Sequence, residues 1–306
     1  LYSFGRIGDV AVSPDRSRFL YQVTYVSIPL NKTNSELFVM NSDGTGKKQL
    51  TITNNRESNP VWINNGQKIA FLGNETGSSQ IWSMNPDGGG MTQISNIEGG
   101  INGFSFSPDG KKILFVKDVK SIVTAPDRYA DLPQASGRIV DDLMYKHWDH
   151  WVESVPHPFV ADLNGSNLSN IIDIMEGEPY ESPLAPFGGI EQLAWSPDSK
   201  TIAYTSKKKV GKEYAISTNS DVYFYNVETG KTKNVTEGMM GYDINPQFSP
   251  DGTLLAWQSM ERDGYEADKN RLFVMNFTTG EKIDLTAGYD NNCDSYIWGD
   301  DNNTVF

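Results

Sequence analysis

The sequence predicts an all-β protein, and more specifically a β-propeller built from four-stranded blades. Three observations lead to this fold class: a strand–turn–strand segment recurs along the chain, a second kind of hairpin alternates with it, and their common period is that of a propeller blade. Helical periodicity is nearly absent, which argues against a parallel, doubly wound sheet. The 306 residues are enough for one large all-β domain, and we assign residues 1–306 to it.

The first repeated element is a pair of strands joined by a tight turn, often Ser-Pro-Asp-Gly. Its copies begin at Val10, Val61, Phe104, Leu193 and Pro246. In each copy, β-branched and aromatic residues occupy near-alternate positions, which is typical of half-buried strands. Asp-Gly or Asn-Gly supplies the positive φ that tight hairpins need. A sixth copy begins at Tyr296, and the sequence ends within it.

The second repeated element is another hairpin, which follows the first in each unit. Its copies begin at Leu37, Ile81, Pro158, Val222 and Leu272. Two hairpins make one four-stranded unit, so the sequence contains five complete units and part of a sixth. Equivalent turns recur about every 45 to 50 residues, except between Pro108 and Pro197, and this period is that of a propeller.

An incomplete sixth unit does not close a ring neatly. Either the chain is a fragment of a larger propeller, or residues 1–8 pair with the C-terminal strands. The sequence leaves both possibilities open. A two-hairpin sheet is marginal by itself, so the blades are expected to depend on one another.

The long interval contains an insertion at about residues 117–155. Two of the three histidines, His147 and His150, lie in it, and His157 lies just after it. One interpretation is structural: its aromatic residues pack an irregular or short helical excursion onto the propeller rim. The alternative is functional, because long insertions between regular units often carry binding residues. In that case Trp148, Asp149, Trp151 and Glu153 project toward a partner or substrate.

Other kinds of site have weak support in the sequence. A metal site would use His147 and His150 with Asp149 or Glu153, but the His spacing is not that of the common zinc helix, so we predict no metal and no cofactor. No Gly-x-Ser-x-Gly elbow is present, and the single cysteine, Cys293, has no histidine near it in sequence. We therefore predict no catalytic residue and no peptidase activity for this chain alone.

Charge and hydropathy exclude further classes of partner. The formal net charge of −13 disfavours nucleic acid and anionic lipid surfaces. The one dense basic run, Lys207-Lys208-Lys209, is predicted to be a solvated loop. No apolar run approaches the ~20 residues that span a bilayer. Because the sequence begins at Leu1, we expect that a signal peptide has been removed or that the chain starts inside a longer gene product.

Two segments go beyond a generic propeller. Met144–Trp151 (MYKHWDHW), followed by HPFVADLNG, resembles the Arg/Lys-His-Trp-Asp-x-Trp stretch of the dipeptidyl peptidase V and acylaminoacyl peptidase branch of the prolyl oligopeptidase family. Ser249–Asn276 is similar to a blade of the same branch with the pattern Met-x-Arg-x-Gly-Tyr/Phe-Glu-Ala-Asp. The resemblance covers essentially the whole chain but only the amino-terminal half of such an enzyme. The Ser-Pro-Asp-Gly turns alone would fit TolB-like propellers equally well.

The resemblance implies a seven-bladed propeller followed by an α/β-hydrolase domain that is absent from this chain. In such an enzyme the propeller caps the active-site cleft and filters peptides by size. Related dipeptidyl peptidases hold the substrate's free amino terminus with propeller carboxylates. By that analogy, the candidates here are Glu153 or Asp149 in the insertion and Glu266 or Asp268 in the second segment. The competing interpretation is that residues 262–268 form a solvated loop.

The sequence therefore favours the non-catalytic, substrate-gating propeller of an exported bacterial serine exopeptidase. That enzyme would remove dipeptides or acylated residues from peptide N-termini, in the periplasm or outside the cell. Its partners would be the hydrolase domain of the same gene product and peptide substrates. The alternative is a stand-alone TolB-like periplasmic propeller that binds proteins.

Overall fold

The computed structural model describes residues 2–306, and within them five four-stranded antiparallel sheets follow one another along the chain. The first contains β1 (Arg6–Val12), β2 (Arg18–Ser27), β3 (Lys32–Asn41) and β4 (Lys48–Gln49). The second contains β5 (Ser58–Ile63), β6 (Lys68–Gly73), β7 (Gln80–Met84) and β8 (Thr92–Gln93). In both, sequential strands are neighbours.

The third sheet is interrupted by the insertion. Its first two strands are β9 (Gly103–Phe106) and β10 (Lys112–Lys120). The insertion holds α1 (Ala125–Arg128) and a separate hairpin of β11 (Lys146–His147) and β12 (His150–Trp151). The sheet is completed by β13 (Ser154–Asn164) and β14 (Asn167–Asp173), in the order β14-β13-β10-β9.

The last two sheets again have sequential strand order. After a 3₁₀ turn at Ile190–Gln192, the fourth contains β15 (Leu193–Trp195), β16 (Thr201–Ser206), β17 (Asp221–Asn226) and β18 (Thr232–Asn234). A short helix, α2 (Gly211–Ile216), lies between β16 and β17. The fifth contains β19 (Asp243–Phe248), β20 (Leu254–Ser259), β21 (Arg271–Asn276) and β22 (Lys282–Asp284). The predicted four-stranded units are confirmed.

The repeated Ser-Pro-Asp turn has a shared physical basis. The serine hydroxyl donates to the aspartate carboxylate two residues later, at 2.6 Å for Ser13 and Asp15 and at 2.6 Å for Ser249 and Asp251. The next residue has a positive φ, which glycine adopts without strain. Arg16 occupies that position in the first copy with a φ of 58°. The serine–aspartate bond thus accompanies the turn geometry even where glycine is missing.

The chain divides into two compact units, residues 2–106, 110–117 and 160–171 in one and the remainder in the other. The core of the first unit is formed by Leu20, Leu37, Val39, Leu50, Ile69, Phe71 and Met84. A core of the second is formed by Ala203, Val222, Val235, Phe248, Leu255, Trp257 and Met275. Full burial of a Val, Leu, Ile, Phe or Met side chain stabilises the folded state by about 1.5–3 kcal/mol relative to leaving it exposed.

Tryptophan ties successive repeats together within each unit. Trp62 Nε1 donates to the Ala11 carbonyl at 3.1 Å, and Trp298 Nε1 donates to the Gln247 carbonyl at 3.1 Å. Trp298 also forms an antiparallel bridge with Val305, so the sixth copy begins as the others do.

The chain's beginning bears on the two closure possibilities. Arg6 and Ile7 pair with Thr24 and Val23 of β2, which places them in the first sheet as part of its edge strand. Closure between residues 1–8 and the C-terminal strands stays a prediction, and Leu1 lies outside the described residues. Assignment to a seven-bladed propeller stays a prediction.

Candidate functional site

The insertion contains the short helix α1, but the part that carries His147 and His150 is a β-hairpin. His147 and His150 are cross-strand partners, as are Lys146 and Trp151. Trp148 has a φ of 52°, a left-handed value that permits the tight turn between the two strands. The irregular segment runs over residues 121–153, because β10 continues to Lys120 and β13 begins at Ser154. The histidines therefore do not share a helix face.

The two predicted tryptophans occupy different surroundings. Trp148 is 67% exposed, and its ring meets that of Phe187 edge-on at 5.3 Å. Trp151 lies beneath the Arg138 guanidinium, 4.4 Å from the ring centroid. Such a cation–π contact is worth about 0.5–1 kcal/mol at an exposed site. Trp148 is consequently the freer of the two rings.

The two carboxylates of the insertion also differ. Glu153 accepts a hydrogen bond from Arg138 Nε at 2.6 Å, so its charge is already paired. Asp149 lies at the hairpin turn, and its only ion-pair partner in residues 2–306 is the neighbouring His150, at 3.2 Å. Both side chains of that pair are more than 80% exposed. Asp149 therefore sits in solvent rather than in a cleft.

A cavity of about 560 Å³ lies beside this hairpin, within the second unit. Its walls come from the insertion, from residues 179–186 and from the chain around α2. The aromatic lining residues are His147, Trp148, His150, Trp151, Tyr180 and Tyr214. Leu143, Val155, Pro156, Pro179 and Pro186 add apolar surface. A cavity of this size, apolar with a few polar groups, is typical of small-ligand and peptide sites.

Glu181 is the one acidic side chain among the described residues that line the cavity. It is 7% exposed, and its carboxylate accepts a hydrogen bond from the Tyr214 hydroxyl. Burial raises the pKa of Glu181, while the Tyr214 bond and the positive charge of Lys207 act in the opposite direction. Sequence reasoning missed Glu181 because it lies in a proline-rich connection with no strand periodicity. The flanking Tyr180 and the prolines around it were the only available signal.

The basic run was expected to be a solvated loop, and the structure corrects this. Lys207 Nζ donates to the carbonyls of Tyr214 and Ser217, at 3.2 and 3.1 Å, and lies 3.5 Å from the Tyr214 ring centroid. Burial lowers the pKa of Lys207. Lys208 and Lys209 pair with Glu178 and Glu213, at 2.6 and 3.1 Å. The run holds α2 against the sheet because the carbonyls at the end of α2 lack helical partners.

The second predicted segment forms an ordered loop. Asp268 accepts hydrogen bonds from the side chain and backbone of Arg262, and its side chain is only 7% exposed. These bonds lower the pKa of Asp268. Arg262 also stacks on Tyr265 at 3.9 Å. Glu266 is exposed. Asp268 is therefore committed to Arg262, whereas Glu266 remains in solvent.

Asp263 connects this loop to α2. Its Oδ1 accepts from the Ser217 hydroxyl at 2.6 Å and from the amides of Thr218 and Asn219 at 2.9 and 3.1 Å. These bonds lower the pKa of Asp263 against the opposing effect of burial. The segment that resembles the peptidase blade thus fixes the chain that follows α2, and α2 in turn forms a wall of the cavity.

The third histidine has a structural environment. His157 in β13 is 1% exposed, and its Nδ1 lies 2.9 Å from an oxygen of Asp173.

Within residues 2–306, no three His, Cys, Asp or Glu side chains group as they would to hold a metal ion. In the same part of the chain, no helix is long and apolar enough to cross a membrane.

Comparison with known proteins adds to this geometry. Residues 5–135 match the TolB beta propeller domain family. The chain carries a TolB-like β-propeller domain. It is 50% identical over 304 residues to dipeptidyl-peptidase 5 of Porphyromonas gingivalis. This match covers 99% of the present chain and 44% of the Porphyromonas gingivalis protein. For the Porphyromonas endodontalis dipeptidyl-peptidase 5, identity is 48% over 275 residues, covering 90% and 40%.

Solved structures agree on the TolB-like fold. An acylaminoacyl peptidase from Pyrococcus horikoshii superposes with a TM-score of 0.70 at 16% identity, covering 97% of this chain and 42% of that one. The β-propeller domain of the Trilobed protease from Pyrococcus furiosus gives 0.59 at 15% identity, covering 98% and 77%. The resemblance drawn from the two sequence segments is confirmed. This chain spans less than half the length of the curated relatives it matches.

Proposed function

We propose that this chain is the substrate-gating propeller of a serine exopeptidase that removes dipeptides or acylated residues from peptide N-termini. The observation that carries the proposal is the 50% identity, over nearly the whole chain, to a protein named dipeptidyl-peptidase 5. The aromatic cavity adds support because its volume suits one or two amino-acid residues. In this proposal an α/β-hydrolase domain of the same gene product supplies the nucleophile, and the enzyme works in the bacterial periplasm or outside the cell.

Within this role, we assign capture of the substrate's amino terminus to Glu181. Of the four carboxylates first considered, Glu153 and Asp268 are neutralised by arginines, and Asp149 and Glu266 lie in solvent. Glu181 lines a largely apolar cavity, where an ammonium group has lost its water and needs a counter-charge. The Tyr214 hydroxyl orients the carboxylate for this contact.

The first test uses the full-length gene product in its source cells. A fluorophosphonate probe should label a band about twice the mass of this 34.1 kDa chain, in the periplasmic or secreted fraction. The labelled protein should hydrolyse dipeptidyl chromogenic substrates. An unlabelled native product of this chain's own size would favour the alternative, a stand-alone TolB-like propeller that binds other proteins.

The second test concerns Glu181. Glu181→Gln in the full-length enzyme should lower kcat/KM for peptides with a free amino terminus at least about tenfold, the loss of one charge-assisted contact. The same peptides with an acetylated terminus should change little. Glu228→Gln, which alters an exposed carboxylate paired with Lys200, is the matched control. Equal losses for both peptide forms would assign Glu181 to structure instead of amine recognition.

A further inference from the structure

Two buried carboxylates meet in the first unit, far in sequence from the cavity. Glu36 in β3 is 4% exposed, and Glu57, immediately before β5, is 1% exposed. Glu36 Oε1 accepts from the Thr53 amide at 3.0 Å, and Glu57 Oε1 accepts from the Thr53 hydroxyl at 2.8 Å. Thr53 therefore links the two acids. Glu36 lies in β3, and Glu57 lies on the connection between the first and second sheets.

The second oxygen of each acid has no hydrogen-bond donor. Glu36 Oε2 and Glu57 Oε2 are both buried and unpartnered. Within the described residues, no Lys or Arg forms an ion pair with either acid. A buried, ionised carboxylate without such a partner is strongly disfavoured, and two that share a site cannot both ionise easily. A proton or a cation is therefore needed between the two carboxylates.

The second sheet has an amide side chain at the equivalent position. There, Gln80 accepts from the Ile97 amide at 2.9 Å and donates its own amide to the Ile97 carbonyl at 2.8 Å. Glu36 is the equivalent residue and makes the equivalent bond to Thr53, but a carboxylate has no hydrogen to donate. Asn34 donates to the Thr53 carbonyl in its stead, at 2.9 Å. Glu36 Oε2 is thus left free to accept a hydrogen from Glu57.

The other groups around the pair do not supply a counter-charge. From β2, the Gln22 amide donates to the Glu57 carbonyl at 2.9 Å, and this group is neutral. From β1, Asp9 accepts from the Asn59 amide at 2.9 Å and adds negative charge nearby. Arg56 is exposed, and its backbone amide donates to Asn74.

We propose that Glu36 and Glu57 share one proton and act as a pH-responsive brace on the connection at residues 50–57. While the proton is bound, Glu57 donates to Glu36, and the connection is fastened to β3. Loss of the proton leaves two buried negative charges, which favours local opening of the connection. Burial and the charge of Glu36 raise the pKa of Glu57 to about 7, which agrees with this arrangement. The proposal is independent of the peptidase role.

The sign of the effect follows from linkage. The closed state holds a proton that the open state, with an ordinary pKa of 4.5, releases. The opening equilibrium should therefore rise by up to about tenfold per pH unit between pH 5 and pH 7 and level off above pH 7. The connection should be most rigid in mild acid.

Hydrogen–deuterium exchange of the full-length gene product tests this, with rates corrected for intrinsic exchange at each pH. Peptides covering residues 51–57 should lose protection from pH 5 to pH 7. Residues 94–97 are held by the equivalent bonds to Gln80, which does not titrate. Peptides covering them are the internal control, and their protection should not change with pH. Glu57→Gln removes the titrating group and should abolish the response. Glu36→Gln removes the neighbouring charge but leaves Glu57 buried, so it should weaken the response, and it serves if Glu57→Gln does not fold.

Two results would overturn the proposal. Protection of residues 51–57 that stays constant between pH 5 and pH 8, as at residues 94–97, would mean that no shared proton titrates. Protection that calcium chloride restores at pH 8 and a chelator removes would mean that a cation occupies the place assigned to the proton.

Discussion

Replacement of Asp263 by alanine is expected to loosen the chain that follows α2 without unfolding the protein. The Asp263 carboxylate accepts three hydrogen bonds, from the Ser217 hydroxyl and from two backbone amides. Bonds to charged groups are worth about 1.5–3 kcal/mol each when buried, and partial exposure reduces this to about 1 kcal/mol. The total of about 3 kcal/mol corresponds to a roughly hundredfold larger population of locally open chain.

The assay is amide exchange of Thr218 and Asn219, the two amides that Asp263 holds. Asp263→Ala should accelerate their exchange about a hundredfold at pH 7, and Asp263→Asn, which keeps an uncharged acceptor, about tenfold. Asp290→Ala removes an exposed carboxylate and is the control. Because Lys207 also holds this chain, the melting temperature should fall only slightly. Exchange that changes less than about twofold in Asp263→Ala would refute the reasoning and assign the restraint to Lys207 alone.

Three further predictions concern single side chains. Burial raises the pKa of Asp243 from 3.8 to about 7, so the free energy of unfolding should fall as pH rises through that window. In urea unfolding, the wild-type protein should lose of the order of 4 kcal/mol between pH 4 and pH 8, and Asp243→Asn should remove this loss. The same pH profile in both proteins would contradict the prediction. Trp148→Ala should raise the KM of the full-length enzyme for peptides about fivefold and change the free energy of unfolding by less than about 0.5 kcal/mol, with Tyr289→Ala as the control; an unchanged KM would remove Trp148 from the site. His157→Ala should lower the free energy of unfolding by about 3 kcal/mol because Asp173 loses its buried partner, and His150→Ala should have almost no effect; similar small losses for both would show that the pair contributes little.

The sheets could be predicted from sequence because each strand carries its own local signal. The Ser-Pro-Asp turns, the alternation of apolar residues and the second hairpins fixed both strand order and period. Even the exceptions conform, since Arg16 and Ser199 adopt positive φ where glycine stands in other copies. A signal repeated five times is strong although each copy is short.

The cavity could not be predicted in the same way, because no local pattern specifies it. Its walls come from three separate segments, and the insertion alone was singled out in advance. Glu181 acquires its properties from burial beside Tyr214 and Lys207, and those contacts join residues 26 to 33 positions apart. The candidates chosen from sequence were acidic residues near recognisable motifs. The structure gives two of them arginine partners and leaves the other two in solvent.

The two sites of interest can both be located by comparing one sheet with the next. Glu36 takes the position that Gln80 holds in the next sheet, and the difference of one amide for one carboxylate creates the need for a shared proton. Glu181 and the β11–β12 hairpin lie in connections that the regular blades lack. The fourth sheet has Asp221 at the same position, where it accepts from the Thr236 hydroxyl, so this position changes its hydrogen-bond partners from sheet to sheet. Comparing equivalent positions between blades therefore locates chemically distinct groups that neither composition nor motif searches would detect.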